Sequence, residues 1–412
     1  MRLVTKISVI ILLIIFSCRS EKISIQNISY LYDVSMQSYL PQCVAYHKND
    51  SITAIYYTVK SESLMYVKEL NSGKYTTNAI LKLELYNTND LKKQIDTAYT
   101  KIVDDDNQNL KELNGFIDIK TSGLENALLK ITLYDINKHT SVDTYLNIYR
   151  QRDSRQHFLM LSSDSLPVYN NEASSNESFF IQTENKSIQK LWVRYYNRVF
   201  PIATPPYVES KISTFDFSPD SIFTVSVSNG KTDLLRFNQK GIYFFQTDTS
   251  SKYGYTVFRF DEDYPYITNV NQMMESIRYI TEKKEYDEMW VQKDKKNAVD
   301  AFWLNIAGNE IRAKELIKKY YNRVQEANEY FPSFIEGWKT DKGLVYIVYG
   351  PPNVVYKSKN SEDWIYGEDR NMRSIRFTFF KMENPFTDND YQLSRSNSYK
   401  DEWYNAVENW RR

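Results

Sequence analysis

The chain has 412 residues, with 52 basic and 52 acidic side chains and a formal net charge of zero. No basic stripe runs through it, which excludes the electrostatic footprint of a nucleic-acid binder. Aromatic residues reach 15% while glycine occurs 11 times, a composition that builds packed cores and excludes a disordered stalk, and the length predicts two to four domains.

The first residues read as an export signal. Arg2 and Lys6 supply cationic charge, and Ile7 to Phe16 is apolar except for Ser8. A run of about ten residues is too short for the ~20 needed to span a bilayer. The following Ile15-Phe16-Ser17-Cys18 resembles a lipobox, with Phe16 bulkier than the usual occupant. The resemblance implies a signal peptide over 1–17, lipidation of Cys18 and attachment to membrane lipid through its acyl chains. At ~0.8 kcal/mol per buried methylene, several acyl chains hold a protein durably. An ordinary secretory signal with a chance cysteine, or an uncleaved anchor, are the alternatives. After processing, Cys43 is the remaining thiol, so no internal disulfide is expected, and it reads as a buried filler.

Residues 18–162 read as a β-sandwich-like domain. Leu81, Leu83 and Leu85 alternate with polar residues, as do Leu129, Ile131 and Leu133, and a period of two puts each set on one face of a strand. Further strands are expected at 52–59, 64–70, 116–119, 144–149 and 157–161, with turns at 71–73 and 104–107. Residues 163–264 read as a second β-sandwich-like domain, with strands at 179–182, 190–196, 222–228, 233–237, 241–246 and 255–260. One longer β domain is the alternative. Pro201 and Pro205-Pro206 mark a long loop or an irregular edge. The acidic runs 104–106 and 261–263 read as solvated turns.

From residue 265 to 412 the pattern becomes α+β and tryptophan-rich. Asn269 is placed to cap a helix carrying Met273, Ile277 and Ile280. A second helix is expected over 286–304. A third carries Ile311, Leu316, Ile317, Tyr320, Val324, Ala327 and Phe331 on one face and stops at Pro332. Leu344 to Tyr349 is expected as a strand ending at Gly350-Pro351-Pro352, with short strands at 364–366 and 375–380. A terminal helix over 399–410 puts Trp403, Val407 and Trp410 on one side, while Trp290, Trp303 and Trp338 are expected on an internal stripe.

Gly337-Trp338-Lys339-Thr340-Asp341 has a physical reading of its own. Gly337 gives a permissive backbone after the helix, Trp338 a large apolar plate for the helix stripe, and Thr340 and Asp341 short side chains for turn amides. Gly343 would let the chain enter the following strand closely, and Gly350 with Pro352 would make a rigid exit. The alternative is that Trp338, Thr340 and Asp341 line a groove for a peptide or glycan.

Those five residues, the helix before them, the run Leu344 to Pro352, Trp364-Ile365-Tyr366 and the ending Tyr399 to Trp403 together resemble the GWxTD-domain family of Gram-negative envelope proteins. The resemblance leads one to expect arginine at position 342, where this chain has Lys342, which keeps the charge and loses the planar fork. It implies a lipid-anchored outer-membrane protein, in either leaflet, that binds an envelope protein partner without chemistry of its own. No phosphate loop, dinucleotide fingerprint, nucleophile elbow or zinc spacing is present, and three scattered histidines argue against a metal, so neither metal nor cofactor is expected. The competing readings are a polysaccharide- or peptidoglycan-active enzyme centred on Asp341 or on Glu362 and Asp363, and a glycan-binding surface lipoprotein.

Overall fold

The computed structural model describes residues 27–70, 72–88, 90–106, 109–209 and 215–412. The leader 1–17, Cys18, and Asn71 and Asn107 of two expected turns lie outside the described residues.

After a one-turn helix α1 (Val34–Gln37), eight strands form two antiparallel sheets: β1 (Gln42–His47), β2 (Ile52–Lys60), β3 (Val67–Lys68), β4 (Tyr75–Asn87), β5 (Asp90–Asp104), β6 (Glu112–Lys120), β7 (Asn126–Asp135) and β8 (Thr140–Tyr149). One sheet runs β1-β2-β6; the other runs β3-β4-β7-β8, with β5 also paired to β4. The two alternating leucine sets face one another across β4 and β7, Leu81 opposite Leu133, Leu83 opposite Ile131 and Leu85 opposite Leu129. They share one core with Ile55, Val59, Ile117 and Ile119 from the smaller sheet. Each such aliphatic side chain contributes about 1.5–3 kcal/mol by leaving water. Cys43 packs against this core, and burial pushes its thiol up to about 12. The first acidic run is no open turn: Asp104 ends β5, accepts from Tyr66 at 2.6 Å and pairs with Lys111 at 2.7 Å.

Seven more strands follow: β9 (Phe158–Ser162), β10 (Phe179–Thr183), β11 (Lys190–Tyr196), β12 (Ser221–Ser228), β13 (Lys231–Thr232), β14 (Gly241–Gln246) and β15 (Tyr255–Arg259). They make one sheet in the order β15-β14-β11-β12-β13-β10-β9, and Phe158, Ile181, Val193, Phe245 and Val257 from its two halves share a core. The strand expected at 233–237 is reduced to a single bridge between Leu235 and Phe179. Next to it Arg236 turns aside to the carbonyl of Ser175, and Phe237 stacks 3.8 Å from Tyr243. The second acidic run is tied down, Asp261 by Lys240 and Glu262 by Arg259.

The last segment contains helices α2 (Val270–Ile277), α3 (Lys283–Trp290), α4 (Lys295–Ala307), α5 (Glu310–Tyr330), α6 (Asp341–Tyr349) and α7 (Lys400–Arg411). It also holds a four-stranded sheet β16 (Val354–Lys357), β17 (Ser361–Tyr366), β18 (Ile375–Lys381) and β19 (Tyr391–Leu393), paired in chain order. Asn269 caps α2 as expected. The single helix expected over 286–304 is two, because Asp294 accepts from the Asn297 amide and starts a new helix. Trp303 and Trp338 are interior, but Trp290 is 39% exposed at the end of α3 and does not belong to the stripe.

Residues 344–349, expected as a strand, belong to helix α6. A short continuous apolar run carries no period, and helix and strand are both open to it. Here Thr340 decides: its Oγ1 accepts from the Gly343 amide at 3.0 Å, as an N-cap does. Leu344, Val345, Tyr346, Ile347 and Val348 are buried because α6 lies between α5 and the sheet, so no face needs to be polar.

The first described residues pack against the last segment. Ile28 is buried in the C-terminal core, and its amide donates to the carbonyl of Val355 on β16 at 3.1 Å. Asn27 accepts from the Val355 amide and donates to the carbonyl of Asn353.

Candidate functional site

The motif Gly337 to Asp341 is the elbow between α5 and α6. Gly337 to Lys339 form one 3-10 turn. Gly337 presses on α5 so closely that a Cβ would stand 2.0 Å from the Ala327 carbonyl oxygen, and a Cβ on Gly343 would stand 2.1 Å from that of Gly337. These glycines are therefore points of backbone contact, and Gly343 serves helix α6 and not the entry to a strand. Trp338 is fully buried. Its amide donates to Asn328 Oδ1 at 3.0 Å, and its carbonyl accepts from the Tyr279 hydroxyl at 2.9 Å. Thr340 Oγ1 also donates to the Gly337 carbonyl at 2.7 Å.

Asp341 does not bond turn amides. Its carboxylate takes a bidentate pair from Arg395 at 2.9 and 2.5 Å and the Leu393 amide at 2.7 Å. Arg395 in turn donates to the carbonyl of Thr204 at 3.1 Å, the Ala203 amide donates to the carbonyl of Lys339, and the Ser396 amide donates to that of Pro206. The proline-marked loop between β11 and β12 is thus fastened to the motif. At the far end of α6, Gly350 has φ +88°, which favours glycine, and a Cβ there would meet the Arg323 guanidinium at 2.6 Å. Arg323 donates to the carbonyls of Ile347 and Val348, where a cation suits a helix C-terminus. Pro352 is buried and turns the chain into β16.

Lys342 and Glu362 form the most buried ion pair of the site. Their side chains are 4% and 0% exposed, and Lys342 Nζ is 2.9 Å from Glu362 Oε2 and 3.6 Å from the centre of the Tyr391 ring. The other carboxylate oxygen accepts from Tyr32 at 2.6 Å and from Trp364 Nε1 at 2.7 Å. Burial pushes the lysine down, and Glu362 offsets part of that. Burial alone would raise the Glu362 carboxyl, but Lys342, Lys357 and those hydrogen bonds hold it well below the usual carboxylate range. Charges this deep persist only when paired and hydrogen-bonded. Asp363 points the other way along the strand, accepting from Thr378 at 2.6 Å, and Asp369 accepts from Tyr356 at 2.9 Å. Asp341, Glu362 and Asp363, the carboxyls singled out in sequence, are therefore each committed to different partners and not gathered around one cleft.

A different carboxyl is. In the second β region a cavity of about 610 Å³ is lined by Glu172, Glu177, Asp261, Phe179, Phe260 and Tyr264 among others. Burial, then the neighbouring Glu177, push the Glu172 carboxyl up to about 8. Its hydrogen bond is a long one, 3.5 Å from Asn170. Among the described residues, no group of three or more His, Cys, Asp or Glu side chains is placed to hold a metal.

A buried elbow between two helices, braced by a four-stranded sheet and clamped to an upstream loop, defines an α+β domain whose signature residues are interior. Residues 241–412 match the family model of the GWxTD domain, and the chain carries that domain. The match begins at the first residue of β14, upstream of position 265. No curated protein matches the chain.

Sequence reasoning missed Arg395, Tyr32 and the Glu172 cavity, and it marked the proline loop at 201–206 without its tie to the motif. Arg395 lies 54 residues from Asp341, and Tyr32 lies 330 from Glu362, beyond any local pattern. Glu362 did leave a signal: two residues before Trp364 in a strand, it shares the face of a buried tryptophan.

Proposed function

We propose that this chain is a non-enzymatic lipoprotein of the outer membrane, anchored through Cys18, that acts as an interaction or assembly component of an envelope protein complex. The observation that carries the reading is the commitment of Asp341 to Arg395 and, through it, to Thr204. The signature residues spend their chemistry on holding the β region against the GWxTD domain. A molecule so joined offers fixed surfaces to partners, and its exposed tyrosines and phenylalanines suit protein contact. The test has two parts. Metabolic labelling with a fatty acid should place acyl mass on the wild-type chain and none on Cys18→Ser, which should leave the membrane fraction. Crosslinking in cells, followed by affinity purification, should recover a defined set of envelope proteins. A mature chain without acyl mass defeats the placement, and recovery of glycan alone, with turnover, defeats the role.

A second reading has its own observation. Glu172, whose carboxyl burial pushes up to about 8, stands with Glu177 in an aromatic-lined cavity, and two carboxyls in one cavity are the kind of pairing used on glycans, where they take different roles. It favours the polysaccharide- or peptidoglycan-directed alternative, relocated from Asp341 and Glu362 to the second β region. Calorimetric titration with peptidoglycan fragments separates the two: heat of binding that is lost in Glu172→Gln supports the second reading, and no heat supports the first.

A further inference from the structure

The chain enters the folded body at an unexpected place. A lipid anchor at Cys18 precedes the β region in sequence, and the simplest arrangement would put that region next to the membrane. Instead, the first described residues dock on the last domain. Asn27 and Ile28 extend the edge of the sheet at β16, through the Ile28 amide to the Val355 carbonyl and the Asn27 side chain to Asn353 and Val355. Tyr30 and Tyr32 continue inward, Tyr32 packing 5.2 Å from Trp364 and donating to Glu362. The chain then runs on to β1. The exit point toward Cys18 is therefore a corner of the GWxTD domain.

That corner carries a distinctive loop. Asn353, which accepts from Asn27, also accepts from the amide of Gly367 at 2.8 Å. Gly367 opens the connection between β17 and β18, and residues 367–373 are all exposed. Met372 at its tip is fully exposed, and Arg370 beside it is 92% exposed. Arg373 follows. Glu368 and Asp369 balance the two arginines, and Asp369 is held by Tyr356. The loop thus offers an apolar tip between two long cationic side chains, Arg370 and Arg373, of the kind that can lay their stems on an apolar surface while the heads stay in water.

Eight residues lie between Cys18 and Asn27, which makes nine chain steps. A fully extended chain spans at most about 3.3–3.6 Å per residue, so this corner cannot stand more than about 30 Å from the acylated cysteine. The geometry points to the GWxTD domain as the membrane-proximal body, with the loop 367–374 resting on the lipid headgroups and Met372 inserted among them. The occupant is a bilayer surface. Because the loop is charge-balanced, contact depends on the tether and the methionine more than on anionic lipid. This inference rests on the lipid anchor of the proposed function.

The experiment uses the full acylated chain purified from cell membranes, with Cys43→Ala to remove the free thiol. An environment-sensitive fluorophore is attached at Met372→Cys, or in separate samples at Leu110→Cys or Lys186→Cys, both exposed positions of the β regions. Each sample is reconstituted into vesicles of phosphatidylethanolamine and phosphatidylglycerol, with and without lipids carrying a headgroup or shallow-chain quencher. The expected result is at least threefold greater fractional quenching at 372 than at 110 or 186, together with a blue shift. Equal or weaker quenching at 372, in a chain that floats with the vesicles, overturns the orientation and leaves the anchor standing. A chain that carries no acyl mass and fails to float overturns the anchor itself, and the orientation with it.

Discussion

Replacing Glu362 with glutamine is the sharpest probe of the interior beneath the motif. Glutamine keeps the volume and accepts from Tyr32 and Trp364, but it leaves Lys342 as a buried cation whose side chain is 4% exposed. Breaking a buried pair by removing one partner costs about 3–5 kcal/mol. An independent ceiling comes from the lysine's escape route, which is to lose its proton. From an ordinary value near 10.4, deprotonation at pH 7 spans about 3.4 pH units at 1.36 kcal/mol each, or about 4.6 kcal/mol. The two figures agree, and at about 2–4 °C per kcal/mol for a unit of 150–250 residues they predict a fall in Tm of about 6–18 °C. The pH dependence is distinctive. Neutralising the lysine at pH 9 costs at most about 1.9 kcal/mol, and burial already favours the neutral amine in the wild type as pH rises, so the penalty of Glu362→Gln should shrink between pH 7 and pH 9. Calorimetry, or guanidinium unfolding followed by the fluorescence of the C-terminal tryptophans, measures both. The double variant Lys342→Met, Glu362→Gln should recover most of the loss, because both charges of the buried pair are gone. A single variant within about 1 kcal/mol of wild type at pH 7, or one equally destabilised at both pH values, would refute the reasoning.

Thr340→Ala removes the cap of α6 and should cost about 1 kcal/mol, read as a fall of a few degrees in Tm with unchanged helical signal at low temperature. Gly343→Ala drives a Cβ to within 2.1 Å of the Gly337 carbonyl oxygen, backbone that cannot step aside. The cost should exceed the 1–3 kcal/mol, roughly, of ordinary overpacking, and denaturant titration reads it. Glu172 has a raised value, near 8 against an ordinary 4.5, so the folded state holds its proton more tightly than the unfolded chain. That contribution is complete below about pH 4.5 and is lost as pH rises through 8. Glu172→Gln should therefore flatten the decline in Tm between pH 5 and pH 8, and a slope identical to wild type would contradict the burial of this carboxyl.

What the sequence made legible was periodic. The leucine sets of β4 and β7 were visible because one face of each strand meets the core, and they turn out to be directly paired. Helix α5 was visible for the same reason, its stripe facing α6 and its end fixed by Pro332. Helix α6 was not, because it is buried on nearly every side and a uniformly apolar run has no period to read. Its real marker was Thr340 with the glycine three residues on, a capping signal that a strand reading passes over. Residues 233–237 carried a short apolar run that the structure spends on a bridge and an aromatic stack.

The motif residues were found and their neighbourhood was not. Trp338 was expected against the helix stripe, and it is there, in one core with Val324 and Ala327 and bonded to Asn328. Asp341 was expected to bond local amides and instead reaches across the fold to Arg395. Local chemistry predicts turns and caps, whereas an ion pair closed over dozens of residues depends on which loops the tertiary structure brings near. The same holds for Lys342, whose one ammonium faces a carboxylate and an aromatic ring at once, an environment set by β17 and β19 together.

On the proposed function, Asp341 serves to hold the molecule together through Arg395. The most direct measurement is the set of proteins crosslinked in cells to full-length Asp341→Asn, taken at a temperature where its own melting curve shows it folded, against the wild-type set. The account predicts the same partners in similar yield from a less stable chain. A folded Asp341→Asn that keeps its partners yet abolishes a turnover of glycan shown by wild type would contradict it.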